Sequence, residues 1–284
     1  MMNRNIVVAP CGNSSTIFRD HWLNKKEIKN FDVCLLFYHE EINNPGLYGG
    51  VDFFFHLKDF KYRMIYQLFT SIKPEFLEQY DQFYFLDDDI ELGTGDINKM
   101  FNLSRGFGLW ISQASLTKDS YCSWPILKNK QDCLLRFIGQ VEVMSPLFSL
   151  KALKICMPTF IDNKSSWGID CVWSKLLGYP KDKLAVIDDV QMKHIHPVGG
   201  GELYTKIQTD PGDDWNIVVQ KYGAIKNHFT EYGRCMVVNK DKNQLLKLIY
   251  IIQERLSKLK QRYLDYGLSY RIKSKLGLLK KSSS

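Results

Sequence analysis

A chain of 284 residues, 45% hydrophobic and 24% charged, has the composition of a globular protein with a substantial core. The net charge of +7 is uneven: residues 241–284 hold eleven Lys or Arg and three Asp or Glu, a balance of +8 that leaves −1 for the rest. A near-neutral body argues against nucleic-acid binding, which depends on a basic surface of the folded domain.

The cysteines and the apolar runs indicate the compartment. The seven cysteines include no CxxC pair, which argues against a zinc or redox motif and favours reduced thiols. The first apolar run, residues 6–9, is too short for a signal peptide, and no run approaches the roughly 18 apolar residues of a transmembrane helix. We therefore expect a cytoplasmic protein.

The first third of the chain predicts a strand–helix–strand pattern. Continuous apolar runs at residues 6–9, 31–38 and 83–86 indicate strands covered on both faces, as in a parallel sheet. Residues 62–69 have apolar positions at helical spacing and predict a crossover helix. This alternation is typical of an α/β fold.

The rest of the chain is less regular. Residues 108–112 and 141–148 predict strands near a site, residues 170–177 a helix, and residues 184–187 a strand that ends in acids. From residue 244 the pattern predicts a basic amphipathic helix. The sequence thus predicts a single α/β domain over residues 1–240, with a mostly parallel sheet, and a helical tail over residues 241–284.

Three aspartates follow the third predicted strand, in Phe85-Leu-Asp-Asp-Asp-Ile-Glu91. The carboxyl end of a buried strand is where open α/β sheets bind their ligands. Asp87 and Asp89, two residues apart, can face one Mg²⁺ or Mn²⁺ ion, which leaves Asp88 available to a ribose hydroxyl or a water. The alternative is a solvated acidic turn, but the apolar lead-in favours the metal site.

Two histidines and a glycine run follow the strand predicted at residues 184–187. His194 or His196 could complete the metal site, since imidazole binds Mn²⁺. Gly200, in the middle of three glycines, would let the backbone approach a diphosphate. The alternatives are a structural histidine and an ordinary flexible turn.

The segment Trp167-Gly-Ile-Asp-Cys-Val-Trp173 places a carboxylate beside a flat aromatic ring. Asp170 could be a helix cap. It could equally be a general base that takes the proton of an acceptor hydroxyl, while a sugar stacks on Trp167.

Together these segments resemble the ordered landmarks of GT-A-type glycosyltransferases, which have a Rossmann-like α/β fold. The closer resemblance is to a domain-of-unknown-function family once labelled lysine-ketoglutarate reductase trans-splicing related, whose members are regarded as glycosyltransferases. It spans residues 6–205 and says nothing of residues 241–284. The matching stretches are Tyr84-Phe-Leu-Asp-Asp-Asp-Ile90, Ile111-Ser-Gln-Ala-Ser-Leu116, Val141-Glu-Val-Met-Ser-Pro-Leu-Phe-Ser149, Trp167-Gly-Ile-Asp170, and Ile187-Asp188 with His194.

The resemblance implies a role for each matching residue. Asp87 and Asp89 would bind the metal and the diphosphate, with His194 as the third metal ligand. Asp170 would be the base of an inverting transfer, and Glu142 would hold the acceptor or compete as the base. The sequence is one residue short of the family pattern just after His194, which keeps the choice between the two histidines open.

Charge and position add candidates for donor binding. Lys58, Lys61 and Arg63 could neutralise the departing diphosphate together with the metal ion. Three residues after the first predicted strand are placed to hold the nucleotide: Pro10, Gly12 and Asn13.

The sequence therefore predicts a metal-dependent hexosyltransferase that moves sugar from a UDP-sugar to a glycan in bacterial cell-surface polysaccharide synthesis. The basic tail would bind anionic lipid at the inner face of the plasma membrane, near a lipid-linked acceptor; alternatively it packs on the body or on a partner. Competing functions are a nucleotidyltransferase or phosphohydrolase, which usually needs a second cation, and a non-catalytic sugar-binding module.

Overall fold

A computed structural model describes residues 4–23, 27–199 and 210–237. Two predictions fall outside these residues: the role of Gly200 and the basic helix after residue 240. The membrane contact assigned to that tail therefore stays a prediction. None of the described helices has the length and apolarity needed to cross a membrane.

Ten strands form in chain order. Strands β1, β2 and β4 coincide with apolar runs of the sequence, and β1 is buried along its whole length. The strands are Asn5–Cys11 (β1), Asp32–Phe37 (β2), Phe53–His56 (β3), Gln82–Phe85 (β4), Ile90–Glu91 (β5), Ile111–Leu116 (β6), Cys133–Ile138 (β7), Leu147–Ser149 (β8), Leu184–His194 (β9) and Glu231–Met236 (β10).

The helices cover the faces of the sheet. The α-helices are Lys61–Gln67 (α1), Phe76–Gln79 (α2), Thr94–Gly106 (α3), Leu150–Cys156 (α4), Ile169–Leu176 (α5) and Pro211–Tyr222 (α6). Short 3₁₀ turns form at Pro45–Tyr48, Pro125–Leu127 and Met157–Ile161, and π turns at Phe18–Trp22 and Leu68–Ile72.

The strands lie in the order β10-β7-β9-β6-β8-β4-β1-β2-β3, and β5 pairs with β9. Strand β1 is parallel to β2 and β4, β2 to β3, and β6 to β9. Strand β8 is antiparallel to β4 and β6, and β7 to β9 and β10. Among the nine described strands of this order, β7 and β8 therefore oppose the direction that the other seven share. The predicted α/β fold with a mostly parallel sheet is confirmed.

Shared direction determines where a ligand site forms. Strands β1, β2, β4, β6 and β9 all end at the same edge of the sheet. Loops that follow these strands meet there, as in other open α/β sheets.

Several predicted elements shift in the structure. The crossover helix forms as α1, and the helix predicted at residues 170–177 forms as α5. The strand predicted at residues 141–148 is wrong over most of its length, because β8 begins only at Leu147. The strand predicted at residues 184–187 does not end at its acids: β9 bulges after Ile187 and continues to His194.

That bulge contains a buried ion pair. Asp188 in β9 binds Arg136 in β7, with an N–O distance of 2.7 Å and both side chains fully buried. The Arg136 guanidinium also donates to Lys128 O at 3.0 Å, and Asp188 Oδ1 accepts from Lys130 N at 2.9 Å. The pair therefore fixes the loop between β6 and β7.

Replacing Arg136 by Met should be strongly destabilising, because it leaves the Asp188 charge buried without a countercharge. We expect the free energy of unfolding to fall by about 3–5 kcal/mol in urea titrations. The double variant Arg136→Met/Asp188→Leu should recover much of this loss, since no lone charge remains. Arg4→Met, which breaks an exposed pair with Asp81, should leave the midpoint unchanged. A double variant no more stable than Arg136→Met would contradict the charge argument.

Candidate active site

A cavity of about 690 Å³ opens where the parallel strands end. Ser15 follows β1, Tyr38 follows β2, Asp88 follows β4 and His194 ends β9, and all four side chains line it. Its lining includes most residues that the sequence singled out: Pro10, Lys58, Lys61, Asp87, Asp88, Asp89, Glu142, Trp167, Asp170, His194 and His196.

Three predicted donor ligands do not line this cavity. Gly12 lies against Tyr38 and His39, where even a Cβ atom would collide with both side chains. The Asn13 amide donates to a backbone carbonyl, Glu41 O, at 2.9 Å. Arg63 follows Lys61 by two positions, so the helix turns it to another face, where it pairs with Asp59 at 3.4 Å.

Lys61 is bound within the protein and does not extend into the cavity as a free cation. Its Nζ lies 2.7 Å from Asp87 Oδ1 and donates to Met144 O at 2.9 Å, Val143 O at 3.0 Å and Phe85 O at 3.3 Å. An ammonium has three hydrogens, so these four acceptors occupy it fully. Burial lowers the pKa of Lys61 and raises that of Asp87, and their mutual attraction opposes both shifts.

Asp89 and His194 come together through backbone pairing. Ile90 in β5 pairs with His194 in β9, which brings His194 Nε2 to 3.1 Å from Asp89 Oδ2. The other ring nitrogen lies 3.2 Å from Tyr121 O. Burial alone would lower the pKa of His194, but the hydrogen bond and charge of Asp89 outweigh it and raise the pKa to about 9. His196 lines the exposed rim of the cavity.

Asp88 faces the loop after β1. It accepts hydrogen bonds from Ser15 Oγ and, at 3.3 Å, from Tyr38 Oη. Ser15 Oγ in turn accepts from Gly12 N at 2.8 Å. Burial raises the pKa of Asp88 to about 6, although the bond from Ser15 opposes this shift. Gly12 does not line the cavity, but its backbone N–H orients Ser15, which in turn orients Asp88.

Asp170 and Glu142 form a second acidic group in the cavity. Asp170 Oδ1 accepts from Cys171 N at 2.9 Å, and burial raises the pKa of Asp170 to about 6 despite a hydrogen bond from Gln140. Burial, and then the charge of Asp170, raise the pKa of Glu142 to about 8. Glu142 Oε2 is buried without a hydrogen-bond partner. At neutral pH the pair therefore holds one carboxylate and one carboxylic acid.

Backbone conformation and close packing explain why residue 168, in the Trp167-Gly-Ile-Asp170 segment, is a glycine. Gly168 is the N-cap of α5 and has φ of +85°, in the left-handed region that favours glycine. A Cβ there would collide with Trp215 Cδ1 and would lie 2.8 Å from Val218 Cγ1. Asp170 lies in the first turn of α5, where its carboxylate accepts from Cys171 N, so the structural alternative for this residue stays open beside the catalytic one.

The donor atoms fit a divalent cation in their chemistry. Asp87, Asp89 and His194 offer carboxylate and imidazole ligands, and Asp89 Oδ1 is buried without a partner. Across residues 4–23, 27–199 and 210–237, no three His, Cys, Asp or Glu side chains already converge on one point. Asp87 is instead paired with Lys61 and Asp89 with His194, so a bound cation would have to replace part of these contacts.

Some lining residues escaped the sequence analysis. Ser15 and Gln140 carry no local signal, because their contacts come from distant strands. Trp124 and Trp215 do carry one: each is a large aromatic in a polar or turn-forming segment, Ser123-Trp-Pro125 and Asp213-Asp-Trp-Asn216. Aromatic rings outside apolar runs are candidates for ligand contact.

No protein-family model matches the chain, and no curated protein matches it in sequence, so the family predicted from the motifs is not confirmed. Solved structures resemble the chain with low sequence identity and low TM-scores. A197 from STIV has a TM-score of 0.38 at 11% identity over 68% of this chain and 86% of its own. S. aureus TarS has a TM-score of 0.44 at 11% sequence identity, and the match covers 76% of this chain and 42% of TarS. S. aureus TarS 1-349 in complex with UDP-GlcNAc has a TM-score of 0.46 at 11% sequence identity, and the match covers 79% of this chain and 68% of that one.

Lys61→Met should test the internal role of this lysine. It removes the ion pair with Asp87 and leaves three carbonyl groups without a donor, so the free energy of unfolding should fall by about 3 kcal/mol or more. The matched control is Lys58→Met, because Lys58 lines the same cavity but forms an exposed pair with Glu40 at 2.7 Å. Thermal and urea unfolding should leave this control near wild type. Equal stability of the two variants would refute the internal role.

Proposed function

We propose that this protein is a metal-dependent glycosyltransferase that uses a nucleotide diphosphate sugar. The observation that supports this most is the convergence of two acidic groups in one cavity. Asp87, Asp88 and Asp89 lie at the end of β4, and Glu142 with Asp170 form the second group beside tryptophan side chains. The first group suits a cation and a diphosphate, and the second suits a sugar hydroxyl that must lose a proton.

The nucleotide would bind at the ends of β1 and β2. Asp88 is the residue for a ribose hydroxyl, because Ser15 and Tyr38 already orient its carboxylate. Asp87 and Asp89, with His194 once its ring has lost its proton, would hold the cation, which neutralises negative charge on the diphosphate. Lys61 contributes by fixing Asp87 and the backbone at Val143, and it does not itself bind phosphate in this proposal.

The chemistry is a single displacement. The acceptor oxygen forms a bond to the anomeric carbon as the bond from that carbon to the phosphate oxygen breaks. Asp170 takes the proton of the acceptor hydroxyl, and the bonding electrons leave with the diphosphate. Glu142, protonated at neutral pH, donates a hydrogen bond to another acceptor hydroxyl. One displacement inverts the configuration at the anomeric carbon.

The finer parts of the proposal are a UDP-hexose donor, a glycan acceptor and a place in bacterial cell-surface polysaccharide synthesis. A lipid-linked acceptor at the inner face of the membrane would depend on the tail after residue 240. The competing phosphohydrolase or nucleotidyltransferase would act on phosphorus, and it would have no use for Asp170 and Glu142 beside tryptophans.

Divalent cations should be required for turnover. In a screen of UDP-glucose, UDP-galactose and UDP-GlcNAc, the pure protein should release UDP slowly with Mn²⁺ or Mg²⁺, and EDTA should abolish this release. Asp89→Ala should reduce it by about 100-fold or more, and melting temperatures show separately how much stability is lost with the His194 pair. Asp81→Ala, at the opposite end of β4, is the matched control and should stay active. Full activity in EDTA would refute the metal role.

Removing the proposed base should affect transfer and spare donor binding. Asp170→Asn keeps the shape of the side chain but cannot take a proton, so kcat should fall by roughly 10² or more. Because the base must be ionised and Glu142 must keep its proton, kcat/KM of the wild type should rise with pH through about 6, the pKa of Asp170, and fall above about 8, the pKa of Glu142. If Glu142→Gln loses transfer and Asp170→Asn does not, the two roles are exchanged.

A further inference from the structure

Three tryptophans meet at the cavity beside the second acidic group. Trp215 lies between the other two, with ring centroids 6.2 Å from Trp124 and 6.0 Å from Trp167. Its plane is inclined at 81° and 76° to theirs. All three line the cavity and are partly exposed there. We call this set the tryptophan wall.

Two rings of the tryptophan wall, those of Trp124 and Trp215, are held by residues outside the cavity. Phe229 stacks on Trp124 with centroids 4.7 Å apart, and Lys226 Nζ lies 4.4 Å over the ring of Trp215. The Trp215 indole also donates to Cys171 Sγ at 3.3 Å. Neither Phe229 nor Lys226 lines the cavity. A ring fixed in this way loses little further freedom when a ligand stacks on it.

Sheet order separates the tryptophan wall from the proposed nucleotide end. Trp124 belongs to the loop between β6 and β7, which the Arg136–Asp188 pair fixes to β7 and β9. Ser15 and Tyr38 follow β1 and β2, and β8 and β4 lie between the two groups of strands. The wall therefore borders the part of the cavity that a nucleotide at β1 and β2 does not use.

We propose that the tryptophan wall is a binding subsite for an oligosaccharide acceptor that contacts more than one sugar ring. This rests on the proposed function and specifies its acceptor. A pyranose ring combines an apolar C–H face, which stacks on indole, with hydroxyl groups at its edge. The polar atoms needed for those hydroxyls lie beside the wall: Asp170, and Glu142 Oε2, which is buried without a partner.

The test measures binding of four defined probes, cellotetraose, chitotetraose, maltotetraose and laminaritetraose, by tryptophan fluorescence and saturation-transfer NMR. At least one should bind the full chain at least about tenfold more tightly than glucose or GlcNAc, because several rings stack. Trp124→Ala should weaken that binding about tenfold, and Trp124→Phe, which keeps a ring, by less. Trp110→Ala is the matched control, since Trp110 packs under Lys151 away from the cavity. It should bind like wild type, and melting temperatures report folding.

The possible outcomes distinguish a failure of the proposed oligosaccharide subsite from a failure of the proposed glycosyltransferase activity. Tetrasaccharide binding that persists in saturating UDP supports the subsite, whereas displacement by UDP alone would assign the tryptophan wall to the nucleotide and overturn it. Failure of all four probes to bind, or equal binding by wild type, Trp124→Ala and Trp124→Phe, would also overturn it. Release of UDP from UDP-sugars is measured in parallel. Oligosaccharide binding without any such release would support the subsite while refuting the glycosyltransferase.

Discussion

The site depends on one buried ammonium group. Lys61 Nζ holds Asp87 and three backbone carbonyls, so it joins α1, the end of β4 and the loop before β8 at a single point. That loop carries Glu142, and the end of β4 carries the three aspartates. Without a positive charge there, the acidic groups that line the cavity would repel one another more strongly, and this repulsion would oppose folding. Lys61 makes the acidic site compatible with a stable structure.

The remaining geometry follows from the direction of the strands. Because β1, β2, β4, β6 and β9 end at one edge, residues far apart in sequence become neighbours there. The pairing of β5 with β9 then brings His194 to Asp89 across 105 residues, while His196, two positions later, lies at the exposed rim. Backbone pairing therefore gives His194 and His196 different positions relative to Asp89. A pattern of neighbouring residues in the sequence contains no information about this pairing.

Sequence patterns predicted β1, β2 and β4 of the parallel half, the helices α1 and α5, and the charged residues at the centre of the cavity, but they missed β3. Their success has a physical basis, because strands buried on both faces leave continuous apolar runs. The failures also have a basis. Residues 141–146 are mostly apolar, apart from Glu142 and Ser145, but form a loop whose carbonyls bind Lys61. Arg63 lies only two positions after Lys61, and the turn of the helix directs it to another face. The strand predicted at residues 184–187 continues past its acids, and a buried arginine from another strand binds Asp188.

The contact of Gly168 with Trp215 has a consequence for how the specificity of this protein can change. Residues proposed for the nucleotide and the cation, His194 excepted, lie before residue 90, whereas the tryptophan wall comes from three segments after residue 120. Two of those segments interlock, since Gly168 has no room for a side chain beneath the indole. If the tryptophan wall binds the acceptor as proposed, a related chain that keeps Trp215 must also keep glycine at 168, while the first strands and their aspartates need not change with it.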